Sequence, residues 1–434
     1  MGVIMDINYN SKEYKRYQKA YVSQCTLEHM IRLLVADAFL AKLLTYIGLS
    51  DAMVGIITSF TSFAFIFQLL SVFLVQSRFS TKKIVTSVTS ISTLLFMLVY
   101  FVPFVPLPPL AKKIFVMAMV MTAHAGICTI STLYFKWANA YVPPENRAVF
   151  SAKKEITSLL CGIVLVAIAG FVVDKFESID NLEGGFLFIA ISMLILNIAN
   201  FISFVLIKDE DRIARESMRI PARVVMKDIF SDRIFRNYFI MGVPAAVAGG
   251  LVSGFIGVYK IRELAMSLFL IQLVNIGADF LRMVVSVPFA KFSKKYGFLR
   301  GLQLASVLTG FSYLTIVFTT PKTWYLVIIY TLLITCASAG SYQNSFNVYY
   351  VLVPQKYMTQ AMAFRRTFIG IITFLSAVVG GKILDMIQLN GNMIFNIQIH
   401  AQQFLAFISL PLWAIGFYLT YKCVIKPIEK EKNL

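Results

Sequence analysis

Polar and charged side chains recur on one side of an otherwise apolar stretch in the second half of the chain. Asn275, Asp279 and Arg282 lie between Gln272 and Ser286 at steps of three and four residues, which places all five on one helix face. A charge at the centre of a lipid bilayer costs on the order of 2.5 to 3.5 kcal/mol on insertion scales. Two interpretations remain open. Asp279 binds a proton or a cationic substrate and is gated by Arg282, or the two side chains neutralise each other and join neighbouring helices.

Two further titratable side chains lie within apolar stretches. Asp37 is about 140° around a helix from Arg32, so we expect it to have a partner other than the Glu28–Arg32 pair. A histidine such as His124 titrates near neutral pH when unperturbed and can carry a proton, or it can be a hydrogen-bonded buried residue. Cys128 follows His124 by four residues, but the chain has only three histidines. We therefore expect no metal site and no cofactor.

Amide and phenol side chains are concentrated in another apolar stretch. Gln343, Asn344 and Asn347 lie between Tyr342 and Tyr349. Amides supply hydrogen-bond donors and acceptors while aromatic rings supply apolar faces, and this combination suits a small polar organic solute. Hydrogen bonding between helices is the alternative role for these side chains.

These residues lie in about twelve apolar stretches of about 20 to 28 residues, each long enough to cross a hydrocarbon core of about 30 Å as a helix. The composition agrees, because 58% of the residues are hydrophobic and only 14% are charged, far from the balance of a soluble domain. We therefore predict an all-α polytopic membrane protein. The predicted spans are 22–47, 52–76, 84–104, 112–138, 150–173, 186–207, 236–258, 264–289, 300–319, 323–352, 361–386 and 401–424.

The net charge of +18 follows from membrane topology. If the N-terminus is inside, about 29 of the 40 basic residues fall in segments on the inner side, as the positive-inside rule requires. Both termini are then cytoplasmic. Nucleic-acid binding is not expected, because membrane topology accounts for the excess of basic residues.

The five cysteines are scattered and show no paired spacing, so neither a disulfide framework nor a zinc site is predicted. The first 20 residues are basic but have no apolar core that ends in small residues. We therefore expect no cleaved signal peptide, and the first span directs insertion.

The chain divides into two halves at a basic connector. We predict an N-terminal six-helix bundle over residues 1–207, a cytoplasmic linker over 208–235 and a C-terminal six-helix bundle over 236–434. A weak echo relates the halves, since residues from Val142 to Asp174 have counterparts about 211 residues later, from Val353 to Asp385. The linker is a tether between the halves or, alternatively, a regulatory surface helix.

Two sequence features resemble the major facilitator superfamily of bacterial membrane transporters. The run from Val142 to Arg147 reads VPPENR and is similar to the loop before helix 5 of many bacterial members. Ser77 begins SRFSTKK, which resembles the family motif after helix 2 but has serine at the aspartate position. Ser293 begins SKKYG and repeats this departure. The resemblance implies a fold of twelve transmembrane helices in two six-helix bundles around a cavity that opens alternately to each side.

The resemblance also implies roles for several residues. Helices 1, 4, 7 and 10 line the cavity in this family, which makes Asp37 a candidate substrate or proton ligand. The missing aspartates leave the basic residues of the gate without their expected partner, unless Glu155 or an acid of the linker replaces them. The predicted cytoplasmic gate residues are Arg78, Arg147, Glu155, Lys294, Arg365 and Arg366.

We predict a secondary active transporter that moves a small organic solute by alternating access and is coupled to protons. A facilitative uniporter and a transporter-like membrane sensor or scaffold without flux are the alternatives. The chain has no phosphate-binding glycine-rich loop for an ATP-driven pump, and no nucleophile with an oriented base for an enzyme. We expect a monomer in the bacterial inner membrane, with the solute, protons and lipid as its partners.

Overall fold

Helices make up nearly all of the structure, a computed structural model that describes residues 11–70, 80–139, 147–207, 230–354, 357–394 and 397–432. Within these ranges the sole sheet is a two-stranded antiparallel hairpin, in which Met393 pairs with Gln398 and Ile394 with Ile397. The expectation of a helical membrane protein is confirmed.

The helices and strands follow the predicted spans closely, with short extra turns at several ends. In chain order they are α1 Lys12–Leu34, α2 Asp37–Tyr46, α3 Asp51–Thr58, α4 Phe60–Phe63, a 3₁₀ turn Ala64–Leu69, α5 Thr81–Val99, a 3₁₀ turn Val102–Phe104, α6 Pro109–Asn139, α7 Arg147–Ser178, α8 Leu182–Leu206, α9 Arg233–Ile240, α10 Val243–Val252, a 3₁₀ turn Ser253–Phe255, α11 Ile256–Val258, a π-helical turn Tyr259–Glu263, α12 Leu268–Tyr296, α13 Phe298–Val317, a 3₁₀ turn Pro321–Thr323, α14 Leu326–Leu352, α15 Met358–Leu389, β1 Met393–Ile394, β2 Ile397–Gln398, α16 Ala401–Thr420, a π-helical turn Tyr421–Ile425 and α17 Lys426–Lys432.

Ten helical segments of the described chain are long and apolar enough to cross a membrane. Two predicted spans, 22–47 and 300–319, are not among them. The first is divided, because α1 ends at Leu34 and α2 begins at Asp37. The second, α13, carries Arg300 and several hydroxyl side chains that lower its hydropathy.

The chain forms two compact units. The first consists of Met1–Phe39 and Phe67–Met218, and the second of Leu40–Ile66 and Arg219–Leu434. In the first unit α1 packs on α7 and α8, while in the second unit α10 packs on α15 and α16. A segment from early in the sequence, Leu40–Ile66, is thus grouped with the C-terminal part of the chain.

Helices are interrupted in both units. Asp37 stands at the break between α1 and α2 with a φ of 43°, a left-handed conformation that is uncommon for a residue other than glycine. Helices α9, α10 and α11 follow one another with two interruptions. The first lies between α9 and α10, just before Pro244 in the first turn of α10, and the second is the 3₁₀ turn around Gly254. Proline in the first helical turn costs no hydrogen bond, since that N–H is unsatisfied in any case.

Small residues bring helices of the second unit into close contact. A Cβ on Gly250 of α10 would lie 2.3 Å from the carbonyl oxygen of Thr373 on α15. A Cβ on Gly310 of α13 would lie 2.4 Å from the indole ring of Trp413 on α16. Glycine at such positions permits the near approach of backbones on which helix association in membranes depends.

Replacing Gly250 by alanine is expected to destabilise the second unit by about 1 to 3 kcal/mol, because the added methyl group forces α10 away from α15. The measurement is the apparent melting temperature of the purified protein in detergent. Gly277→Ala on α12 is the matched control, since a Cβ there meets nothing within 4 Å and alanine favours a helix over glycine by about 1 kcal/mol. Equal melting temperatures for the two variants would contradict this account of the packing.

Candidate functional site

A buried carboxylate organises one end of the second unit. Asp51 lies in the first turn of α3, where the Ser50 side chain caps the helix by accepting a hydrogen bond from the Met53 N–H at 3.3 Å. The Asp51 side chain is only 2% exposed, and negative charge is favoured at this positive end of a helix. Arg262 Nη1 donates to its Oδ1 at 2.5 Å, and Gln388 Nε2 donates to its Oδ2 at 2.8 Å.

A second acid extends this arrangement through Gln388. The Gln388 amide also donates to Oε1 of Glu263 at 3.4 Å. The Nδ1 of His400 lies 3.0 Å from Oε2 of Glu263, at ion-pair distance but outside hydrogen-bond geometry. Asp51, Arg262, Glu263, Gln388 and His400 are named the outer network here, because the predicted topology puts them at the outer ends of their spans.

The π-helical turn Tyr259–Glu263 positions two members of the outer network. π-Helical turns are rare and are frequently found at functional sites. His400 is at the N-cap of α16, and the ring of Tyr259 lies 6.1 Å from its imidazole. The sequence analysis identified none of these residues as candidates, because they lie at span ends and come together from four separate parts of the chain.

Asp37 is at the interruption of the first predicted span, in the first unit. Its side chain is half-buried and takes part in polar or electrostatic interactions. Broken helices expose backbone groups and line solute and ion sites in transporters. The interruption therefore supports Asp37 as a pathway residue, although its predicted role stays a prediction. Glu28 and Arg32, one helical turn apart on α1, form an ion pair.

His124 lies on α6 of the first unit and is half-buried. Its ring meets the ring of Phe96 on α5 edge to face, with centroids 4.9 Å apart. No group of three or more histidine, cysteine or acidic side chains with metal-binding geometry occurs among the described residues. His124 thus has one aromatic contact on α5, and its proton-carrying role stays a prediction.

The pair on α12 is present in the second unit. Arg282 Nε lies 3.7 Å from Oδ1 of Asp279, and the two side chains are 26% and 35% exposed. This is the distance of a weak ion pair. Asn275, one turn earlier, is half-buried. The geometry is compatible with both interpretations of Asp279 and does not place a ligand there.

The amides of α14 differ from one another in their surroundings. Asn344 is completely buried, and its Nδ2 donates to the Gly340 carbonyl oxygen at 2.8 Å. A Cβ on Gly301 of α13 would lie 2.5 Å from that same Nδ2, so Asn344 packs between helices and favours the structural alternative. Asn347 is half-buried. The side chain of Gln343 is outside the described part of the chain.

The predicted gate residues are distributed over both units. Arg78 falls outside the described residues, as does the side chain of Arg147 at the start of α7. The acids of the linker are also outside the described ranges. Glu155, Lys294 and Arg366 have exposed side chains.

Arg365 is enclosed by aromatic side chains of the second unit. The centre of its guanidinium lies 4.3 Å from the ring centroid of Tyr238 on α9, and the group is within hydrogen-bond reach of the Tyr349 hydroxyl on α14. Its Nε is buried and makes no hydrogen bond to a described residue. A cation–π contact returns about 0.5 to 2 kcal/mol, whereas removing a charge from water costs several kcal/mol. We name Arg365, Tyr238 and Tyr349 the arginine cage.

A similar arrangement occurs in the first unit. The Nζ of Lys154 on α7 lies 5.6 Å from the ring centroid of Tyr21 on α1. Tyr21 and Tyr134 of α6 have centroids 6.2 Å apart, compared with 6.1 Å for the tyrosines of the arginine cage. The Tyr134 hydroxyl donates to Oε1 of Gln24 at 2.5 Å. We name Lys154, Tyr21 and Tyr134 the lysine cage.

The sequence matches the family described as Major Facilitator Superfamily over residues 31–377. The chain belongs to this superfamily. That match confirms the resemblance predicted from the loop motifs, and the chain is a multi-pass membrane protein of a transporter family. No curated protein matches the sequence.

Solved structures of the superfamily share the fold at low sequence identity. A point variant of the nucleoside transporter NupG has a TM-score of 0.72 and 13% identity, with 93% of this chain and 99% of that chain covered. A D-xylose-proton symporter has a TM-score of 0.67 and 12% identity, with 94% and 98% covered. A bacterial homologue of the lysosomal transporter Spinster, in an inward-facing conformation, has a TM-score of 0.60 and 14% identity, with 96% of each chain covered.

The central ion pair of the outer network, Asp51 with Arg262, can be tested for its contribution to stability. Removing either Asp51 or Arg262 leaves its partner without a counter-charge, so Asp51→Asn and Arg262→Gln should each lower the melting temperature in detergent. The double variant should lose less stability than the sum of the two single losses, with a coupling free energy of about 0.5 to 3 kcal/mol. Arg262 is 37% exposed, which favours the lower part of this range.

The control for this cycle combines Asp51→Asn with Arg300→Gln. Arg300 pairs with Glu429, with Nε to Oε1 at 2.8 Å, and does not contact Asp51. The effects of that combination should therefore add. Additive effects for Asp51 and Arg262 as well would show that their contact does not contribute to stability.

Proposed function

We propose that the protein is a secondary active transporter that moves a small organic solute by alternating access and couples this movement to protons. Membership of the Major Facilitator Superfamily over residues 31–377 is the observation that carries solute transport. Two of the similar structures are named as a nucleoside transporter and a D-xylose-proton symporter, so both solute and proton movement are known on this fold. We further propose twelve membrane spans, a bacterial inner-membrane location and cytoplasmic termini.

The two cages support the proposal of two related six-helix halves. The cations Lys154 and Arg365 are 211 residues apart in the sequence. Tyr21 and Tyr238 are 217 residues apart, and Tyr134 and Tyr349 are 215 residues apart. A cation and two tyrosines thus recur on corresponding helices of each unit, at nearly one spacing. Internal repeats of this kind are the structural basis of alternating access, because each half moves as a body around a central site.

The outer network supports coupling to protons. Histidine is the side chain whose charge changes most readily between pH 5 and pH 8. A protonated His400 attracts the Glu263 carboxylate, and a neutral His400 does not. Gln388 donates to Glu263 and to Asp51, and Arg262 pairs with Asp51. Tyr259 packs beside the His400 imidazole. This contact between an imidazole and a carboxylate, 3.0 Å apart, is the candidate place for proton coupling in the second unit.

The test begins with a screen for solutes that raise the melting temperature of the detergent-solubilised protein, because bound ligand stabilises the folded state by mass action. Nucleosides and pentoses are the first probes. A stabilising solute is then offered to proteoliposomes that contain a pH-sensitive dye. The wild-type protein should take up solute and move protons with it, and its flux should depend on pH between about 5 and 8.

Glu263→Gln and His400→Asn should flatten this pH dependence, because each removes one member of the contact between the imidazole and the carboxylate. Glu183→Gln is the matched control, since Glu183 is exposed in the first turn of α8 and takes no part in the outer network. Solute flux without proton movement in the wild type would identify a uniporter. Stabilisation by a solute without any flux would identify a sensor or scaffold and would refute transport.

A further inference from the structure

The arginine cage has an electrostatic property that the gate role predicted for Arg365 does not use. Among the described residues no carboxylate lies at ion-pair distance from Arg365, and its charge faces two tyrosines. The buried Nε without a hydrogen bond shows that the guanidinium is not fully satisfied. A cation in this state attracts an anion.

A second feature acts in the same direction. The guanidinium lies against Gly242, since a Cβ on that glycine would be 3.0 Å from Nη2 of Arg365. Gly242 is the N-cap of the ten-residue helix α10, and the N-terminus of a helix carries partial positive charge from its free N–H groups. Two positive groups therefore adjoin each other without a negative group from the described residues. An oxyanion that reaches both groups from one side would interact favourably with each.

We propose that the arginine cage binds an oxyanion, the carboxylate or phosphate group of an anionic organic solute. The planar guanidinium offers parallel N–H groups that match two oxygens of such an anion, and the Tyr238 ring lies 4.3 Å from its centre. The Tyr349 hydroxyl adds a donor that rotates toward the anion. That the bound anion belongs to a transported solute rests on the proposed transport function, but the binding site itself does not.

The lysine cage lacks two of these features, which makes the arginine cage the specialised one. An ammonium is a point charge and has no fork for two oxygens. Helix α1 also runs unbroken past Tyr21, whereas α9 ends at Ile240, just after Tyr238. The helix that carries Tyr21 therefore has no second start close to its tyrosine, whereas α10 begins at Val243, shortly after Tyr238. The two halves share the cage and differ in what the cage can bind.

The experiment uses the full-length protein in nanodiscs of phosphatidylcholine, a lipid without net charge. Melting temperature is followed while inorganic phosphate or succinate replaces chloride at constant ionic strength. Both oxyanions should stabilise the wild-type protein in a saturable manner. Arg365→Gln should weaken the apparent affinity at least tenfold, and Arg365→Lys should weaken it less while it keeps the charge.

Arg366→Gln is the matched control, because Arg366 is adjacent in sequence but has an exposed side chain. It should bind both oxyanions as the wild type does. An equal response of the Arg365 and Arg366 variants, or no response of the wild type to either oxyanion, would overturn the proposal. If Arg365→Gln does not yield folded protein, the comparison of Arg365→Lys with Arg366→Lys decides in the same way.

A repeat in nanodiscs that contain phosphatidylglycerol distinguishes the source of the oxyanion. If phosphate and succinate still stabilise the wild type there, the site is open to a soluble anion, as proposed. If their effect disappears only in the presence of the anionic lipid, a lipid headgroup occupies the cage and the solute assignment is wrong. Because this experiment measures binding and not flux, its result is independent of the transport test. The anion site can be refuted while transport is confirmed, and anion binding can be confirmed in a protein that shows no flux.

Discussion

The absence of water from the hydrocarbon core is the constraint on which this structure depends. A backbone N–H or C=O group without a hydrogen bond there costs several kcal/mol, so the chain crosses as helices and breaks them only where other groups compensate. Charged side chains obey the same rule. Asp51 is held by Arg262 and Gln388, Glu28 by Arg32 and Asp279 by Arg282.

Aromatic faces satisfy this constraint where carboxylates are absent. The family motifs after predicted spans 2 and 8 have serine at the aspartate position, and the positive charges of Lys154 and Arg365 lie against tyrosine rings. A ring face compensates a cation less completely than a carboxylate does. Both units thus place a cation against a tyrosine ring. The cation is a lysine in the first unit and an arginine in the second.

The helical architecture could be predicted from the sequence because it follows from local apolar runs, and the family follows from short loop motifs. The helix break at Asp37 could not be predicted from the sequence, because an apolar run does not indicate which of its residues adopts a left-handed conformation. The outer network could not be predicted either, because Asp51, Arg262 and His400 come from distant segments and each alone resembles an ordinary charge at a helix end. Arg365 is a gate candidate from the sequence, but its cage is not visible there, because Tyr238 and Tyr349 lie on two other helices far from it along the chain.

The grouping of Leu40–Ile66 with the C-terminal part of the chain has a consequence for biogenesis. The partners of Asp51 lie 211 and 337 positions later in the sequence. At a synthesis rate of about 5 to 20 residues per second, the ribosome reaches Gln388 tens of seconds after Asp51 has been made. Until Arg262 has been made this acid has neither of its final contacts, and until Gln388 has been made it still lacks the second. Maturation of the second unit therefore ends only after almost the entire polypeptide has been translated.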